Sequence, residues 1–194
     1  MTDDPHRFPF DPRVHAGVPD LLDARGFSRG AAEDLLALDL VLFQWRRMAE
    51  RGEFKGRVLE DMSERLEPAI LQGLLSVAQL SAGIGQRAPV QPTIGMVAEI
   101  MAVDPSRASR IVSELVSRGY VERRAAQEDA RRSVLVTTAK GRRFLDEYTR
   151  SKWRIFAEIF DGWEAQDIAD FSRLFARYVS RLVEVLARAP GEAK

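Results

Sequence analysis

One short stretch of chain, Ser106 to Arg110, holds two hydroxyls and two guanidinium groups (Ser106, Arg107, Ser109 and Arg110) and no carboxylate. These groups share the ability to recognise anions and base edges. An arginine fork can pair with O6 and N7 of guanine, giving about 1–3 kcal/mol of base discrimination per good pair. Hydroxyls suit phosphate oxygens, especially at helix starts, where free N–H groups favour negative charge. Thr93 offers another such hydroxyl at a second expected helix start. A further cluster, Glu128-Asp129-Ala130-Arg131-Arg132, places Asp129 and Arg131 two residues apart. A carboxylate–guanidinium pair there would stiffen a loop tip, and an exposed arginine at such a tip can enter a narrow, electronegative minor groove. The candidate DNA contacts are therefore Thr93, Ser106, Arg107, Ser109, Arg110, Asp129, Arg131 and Arg132. A surface ion pair with Glu114 competes for Arg110, and more strongly for Arg118.

The elements that must position these groups are legible around them. Thr93 is a plausible N-cap for a helix running to about Ala102. Asp104-Pro105 reads as an N-cap followed by proline in the first helical turn, and Gly119 as a left-handed C-terminal cap. Between them Ile111, Val112, Leu115 and Val116 share one face. The two helices, joined by a turn of about two residues at Val103–Asp104, make a helix-turn-helix. Tyr120–Arg124 and Ser133–Thr137 then read as the strands of a hairpin, so the pattern is that of a winged helix. Upstream, Leu66–Leu80 is an apolar helix beginning near Pro68, followed by a Gly- and Pro-marked loop at Ser81–Pro92. Gly30–Arg51 is a helix whose apolar residues exceed one stripe, which fits burial in a core or sharing between two subunits. Thr138 caps a helix carrying Phe144, Tyr148, Trp153 and Phe156. Ile168, Phe171, Phe175, Tyr178, Leu182 and Val185 then form a heptad seam over about Ala165 to Leu186.

Charge follows this organisation. The chain has 29 basic and 29 acidic side chains, yet residues 104–143 hold ten basic against five acidic. The surplus falls on the module whose shape fits a major groove. A charged face alone is usually just solvated, and the coincidence with the helix-turn-helix is what gives it meaning. The absence of cysteine excludes disulfides, thiolate chemistry and cysteine-bound zinc. His6 and His15 are the only histidines, beside Asp3, Asp4 and Asp11, in a proline-marked stretch that reads as a solvated tail better than as a metal site. With no phosphate loop, nucleophile elbow or metal-ligand cluster, an enzyme is not expected, and neither metal nor cofactor is implied. No run of eighteen apolar residues occurs and the N-terminus lacks a signal-peptide pattern, so a cytoplasmic protein without a membrane partner is expected.

The run VAEIMAVDPSRASRIVSELVSRGYVERR, followed by EDARRSVLVTTAKG, resembles the winged-helix core of the MarR family of bacterial transcription regulators. Asp129-Ala130-Arg131 matches that family's Asp-x-Arg wing motif. Thr137-Thr138-Ala139-Lys140-Gly141 matches its Leu-Thr-x-x-Gly helix start, with threonine in place of the usual leucine. More loosely, the resemblance spans residues 31–188. It implies a homodimer that binds a pseudopalindromic operator in double-stranded DNA, acts as a repressor and responds to a small aromatic effector. Phe43, Trp45, Arg46 and Met48 are the implied effector-lining residues, although core packing explains the three apolar ones equally well.

The expected fold is mostly α with a small β-hairpin wing: a winged helix-turn-helix flanked by N- and C-terminal dimerisation helices. The expected divisions are an extended arm with a short turn near Pro19–Phe27 (1–30), N-terminal dimerisation and linker helices (31–65), the winged helix-turn-helix (66–141), C-terminal dimerisation helices (142–188) and a frayed tail (189–194). The rival is a winged helix used only to bind proteins. Its interaction face should be more apolar and less uniformly charged than the serine–arginine turn.

Overall fold

The computed structural model describes residues 16–84, 88–126 and 133–188. The chain divides into two compact units, Met1–Glu60 and Asp61–Lys194. In the first, α1 (Val18–Ala24) packs on α2 (Arg29–Glu50), which in turn contacts α3 (Glu53–Glu60). The extended arm expected over residues 1–30 thus gives way to a helix in its second half. Pro19 sits in the first turn of α1, where a missing N–H breaks no helical hydrogen bond. Ser28 caps α2 by accepting from the Ala31 N–H at 3.3 Å. Within the single chain α2 buries only Ala32, so its wide apolar face is not covered as a core helix would be.

The second unit is built on three helices, α4 (Pro68–Ala82), α5 (Ile94–Met101) and α6 (Pro105–Ser117), which all contact one another. Leu71, Leu74 and Val77 of α4, Val97 of α5 and Val112 and Leu115 of α6 are essentially inaccessible to water and form its core. Gly73 lets α4 approach α6, because a Cβ there would lie 2.5 Å from Ile111 Cγ2. Helix α5 starts at its Thr93 cap and ends with Ala102 in the left-handed region at φ 51°. Three residues, Ala102–Asp104, therefore separate α5 from α6, one more than the spacing implied.

Helix α6 closes with Gly119 at φ 75°. The Tyr120 N–H donates to the Leu115 carbonyl and the Gly119 N–H to that of Val116, each at 2.9 Å, the paired bonds of a Schellman cap. The chain then enters an antiparallel hairpin of β1 (Val121–Ala125) and β2 (Ser133–Thr137), with Val121 opposite Thr137. The Leu135 N–H donates to the Pro92 carbonyl at 2.8 Å, so the segment before α5 flanks β2. Thr138 caps α7 (Ala139–Ile159), and its hydroxyl also donates to the Gly119 carbonyl at 2.6 Å. A Cβ at residue 141 would collide with the Tyr120 carbonyl, so the glycine of the Thr-Thr-Ala-Lys-Gly run lets α7 start against the chain leaving α6.

From there α7 buries Phe144, Tyr148, Ser151 and Ile155 at steps of four, three and four. Past Ile155 burial stops. Trp153, Phe156 and Ile159 are exposed, and α8 (Ala165–Leu186) has no buried residue. The expected fold class, mostly helical with a small antiparallel hairpin, is the one observed.

Candidate nucleic-acid interface

Helix α6 is strongly two-faced. Ala108, Ile111, Val112 and Leu115 are buried, whereas Ser106, Arg107, Arg110, Ser113 and Ser117 are exposed and Ser109 is half-buried. Packing fixes the inner face, so the outer face is held in place without its own side chains being consumed. Among the described residues neither Arg107 nor Arg110 makes an ion pair, and the expected competition from Glu114 for Arg110 does not occur. Glu114 is taken instead by Arg118, whose Nε donates to it at 2.7 Å. Arg118 also forks onto Glu67 at 2.9 and 3.1 Å, and these carboxylates raise its pKa further.

The hydroxyls of the site are already at work locally. Asp104 caps α6 by accepting from the Arg107 N–H at 2.9 Å, and the Ser106 hydroxyl donates to the same carboxylate. The Ser106 hydroxyl, followed by the Arg107 N–H, holds the Asp104 pKa below its ordinary value, so a negative charge sits at the start of α6. A phosphate contact from Ser106 would have to displace that bond. Thr93 accepts from the Met96 N–H at 3.3 Å, which leaves its own hydroxyl hydrogen available as a donor.

The hairpin adds a group that in the sequence is only one charge among ten. Arg123 of β1 is exposed and its Nη2 donates to Ser113 Oγ at 3.2 Å, which puts a third guanidinium beside the outer face of α6. The signal was the two-residue alternation of β1, which turns Arg123 away from its neighbours; which side faces α6 depends on the hairpin's packing. Its neighbour Arg124 is paired with Glu122. Asp129, Arg131 and Arg132 lie outside the described residues, as do His6 and His15.

Tyr120 anchors the back of the site. Its ring is fully buried, meets Phe144 edge-on at 5.5 Å and lies 4.2 Å from Lys140 Nζ. Among the described residues its hydroxyl has no hydrogen-bond partner of good geometry, although the Glu64 carboxylate is close enough to act on it electrostatically. Burial, then that carboxylate, pushes the phenol's pKa up, so Tyr120 stays neutral.

The implied effector residues all lie on α2. Phe43, Trp45 and Met48 are exposed, and Arg46 is 4.0 Å from Asp39. In the second unit an open cleft of about 370 Å³ lies between Pro92, Arg124 and β2 residues Val134–Thr137. Among the described residues no cluster of three or more His, Asp or Glu could hold a metal, and no helix is long and apolar enough to cross a membrane.

Comparison with known proteins agrees with this fold. Residues 82–132 match the model of the MarR family. A MarR family protein from Bacillus stearothermophilus superposes with a TM-score of 0.60 at 16% identity, over 81% of this chain and 99% of that one. The YusO protein of Bacillus subtilis gives 0.53 at 21% identity, over 76% and 96%. The S. aureus protein MepR, in a structure with ethidium bromide, gives 0.52 at 12% identity, over 72% and 94%. The curated proteins contain no match.

Proposed function

From a chain whose central segment is a MarR-family winged helix, we propose a transcription regulator that binds double-stranded DNA sequence-specifically as a homodimer. The observation that carries this reading is the outer face of α6, where Arg107 and Arg110 are exposed and, among the described residues, unpaired on a helix whose inner face is locked into a core. Unpaired guanidinium groups at the start of a helix of this kind are placed to read base edges in a major groove. Thr93, Ser109 and Arg123 supply backbone contacts around them. Ser106 joins them once it leaves Asp104, and Arg131 and Arg132 are proposed for the adjacent minor groove, with Asp129 pairing with Arg131.

The homodimer is supported by α8. Its heptad residues Ile168, Phe171, Phe175, Tyr178, Leu182 and Val185 are 39–47% exposed in the single chain, a continuous apolar stripe of the kind that marks an interaction site. In this reading residues 142–188 and 31–65 pair the subunits. Two recognition helices then meet a pseudopalindromic operator about one helical turn, or roughly 34 Å, apart. The protein works as a cytoplasmic repressor and not as an enzyme. A planar aromatic effector on Phe43, Trp45, Arg46 and Met48 shifts the spacing by binding one arrangement better than the other; the ethidium complex of MepR supports that ligand class.

The test is selection of a duplex from a random-sequence pool, followed by a salt series on the selected and scrambled duplexes. Preference for the selected site by about a thousandfold or more, with log affinity falling steeply against log salt, is expected. Equal weak binding to both duplexes overturns sequence-specific regulation and favours the protein-binding module.

A further inference from the structure

Residues 61–67, through which the chain passes from α3 into α4, are tied to α7 and to the end of α6 by four polar contacts. Asp61 lies 3.6 Å from Arg154. Glu147 accepts from both the N–H and the hydroxyl of Ser63, at 2.6 and 2.9 Å. Lys140 donates to Glu64 at 3.2 Å and also to the Arg118 carbonyl at 3.3 Å. Glu67 receives both arms of the Arg118 fork. The α7 partners, Lys140, Glu147 and Arg154, recur every seven residues, so they form one stripe along that helix. Met62 and Leu66, buried between these ties, keep the segment seated.

This segment therefore ends on the last turn of the recognition helix and holds it twice. The side chain of Arg118 is held by Glu67, and its carbonyl by Lys140, which is itself held by Glu64. Stability is a poor explanation for the arrangement. Glu67 is 61% exposed and Arg118 34%, and ion pairs that reach water this freely contribute little to folding. A bidentate fork fixes direction better than it adds energy. The lever is long: from Arg118 to Arg107 the helix rises roughly 16 Å, so a tilt of about 5° at Arg118 moves Arg107 by more than about 1 Å. A displacement of that size spoils a two-bond contact to a base edge.

We infer that Glu67 and Arg118 are positioning residues for DNA readout, and that the segment 61–67 sets the tilt of α6. The inference rests on the proposed DNA-binding function. Its test uses the full-length protein, with the selected duplex and a scrambled one, and compares Glu67→Gln with Glu114→Gln. Each substitution removes one negative charge beside Arg118, but only Glu67→Gln loosens the tie between the segment and the helix. Charge alone would strengthen binding of both duplexes in both variants.

Positioning predicts that Glu67→Gln weakens the selected duplex about tenfold and leaves the scrambled one within about twofold, while Glu114→Gln weakens neither. The double variant Glu67→Gln/Arg118→Gln should bind no worse than the weaker single variant, as expected for two residues acting through one contact. If Glu67→Gln binds both duplexes as Glu114→Gln does, the inference is wrong. Should the unmodified protein fail to discriminate the duplexes, the function falls, and amide exchange in DNA-free protein still decides the positioning. Faster exchange over Val116–Tyr120 in Glu67→Gln than in Glu114→Gln supports it, and equal rates overturn it.

Discussion

Helix α4 buries seven of its fifteen residues, whereas α8, with twenty-two residues and the more regular apolar stripe, buries none. Helix α4 has no charged side chain and α8 has six, but α8 keeps an unbroken apolar stripe, so composition alone does not explain why that stripe stays uncovered. Helix α4 lies against α5, α6 and β2. From Trp153 onward the chain instead carries a run of exposed or half-exposed rings, with Trp153, Phe156 and Phe160 leading through Phe171 to Phe175 and Tyr178 at centroid spacings of 5.0–6.2 Å. These rings touch one another and still face water. A regular stripe shows that a helix has an interaction face; the neighbours available to it decide whether that face is covered. In the proposed homodimer, α8 is to a second subunit what α4 is to its own chain.

The largest expected effect lies on the α4 side. Leu74→Ala should cost about 2–5 kcal/mol in urea unfolding, independent of protein concentration, because Leu74 is fully buried and leaves a cavity. A cost below about 1 kcal/mol would mean that this core collapses around the gap. On the α8 side, replacing Phe171 and Phe175 together by Glu should turn a dimer into a monomer in sedimentation equilibrium. The fall in Tm should be large at high protein concentration and vanish on dilution, as linkage to subunit association requires. An unchanged mass would remove α8 from the interface.

Gly141→Ala should destabilise by about 1–3 kcal/mol through its clash with the Tyr120 carbonyl. It tests whether the second unit is as tight at the start of α7 as at α4. The smallest effect runs the other way. Ala102→Gly should stabilise by up to about 1 kcal/mol in urea unfolding, because the φ of 51° suits glycine better than alanine.

Acidification probes the same contrast. Glu147, hydrogen-bonded by the N–H and then the hydroxyl of Ser63, has a depressed pKa. A carboxylate depressed in the folded state stabilises fully above its unfolded pKa, and loses that contribution as pH falls through the folded value. The Tm of the unmodified protein should therefore hold above about pH 5 and decline below about pH 4. Glu147→Gln should flatten that decline. A Tm that is level down to pH 3 would show that these contacts contribute nothing to folding.

Much of the winged helix was legible because its signals are local. The caps at Thr93, Asp104 and Thr138 bond to N–H groups three residues ahead, and Gly119 closes α6 within its own turn. Spacing along the chain is enough to reveal such contacts. The α8 stripe was legible for the same reason, since its period is a property of the helix alone. The extended arm was misread at Pro19 because proline in a first turn starts a helix as readily as it breaks one. The burial of α2 was not decided by its apolar count.

Within the winged-helix module, local signals along the chain set where the helices and strands begin, the positive charge on residues 104–143, and the two faces of α6. Only the tertiary structure decided which arginines remain free to bind. Arg118 is spent on Glu67, Lys140 on Glu64 and Glu147 on Ser63, across separations of 51, 76 and 84 residues. No periodicity links residues that far apart. They meet because α4, α6 and α7 pack around one core, and that packing leaves Arg107 and Arg110 facing outward.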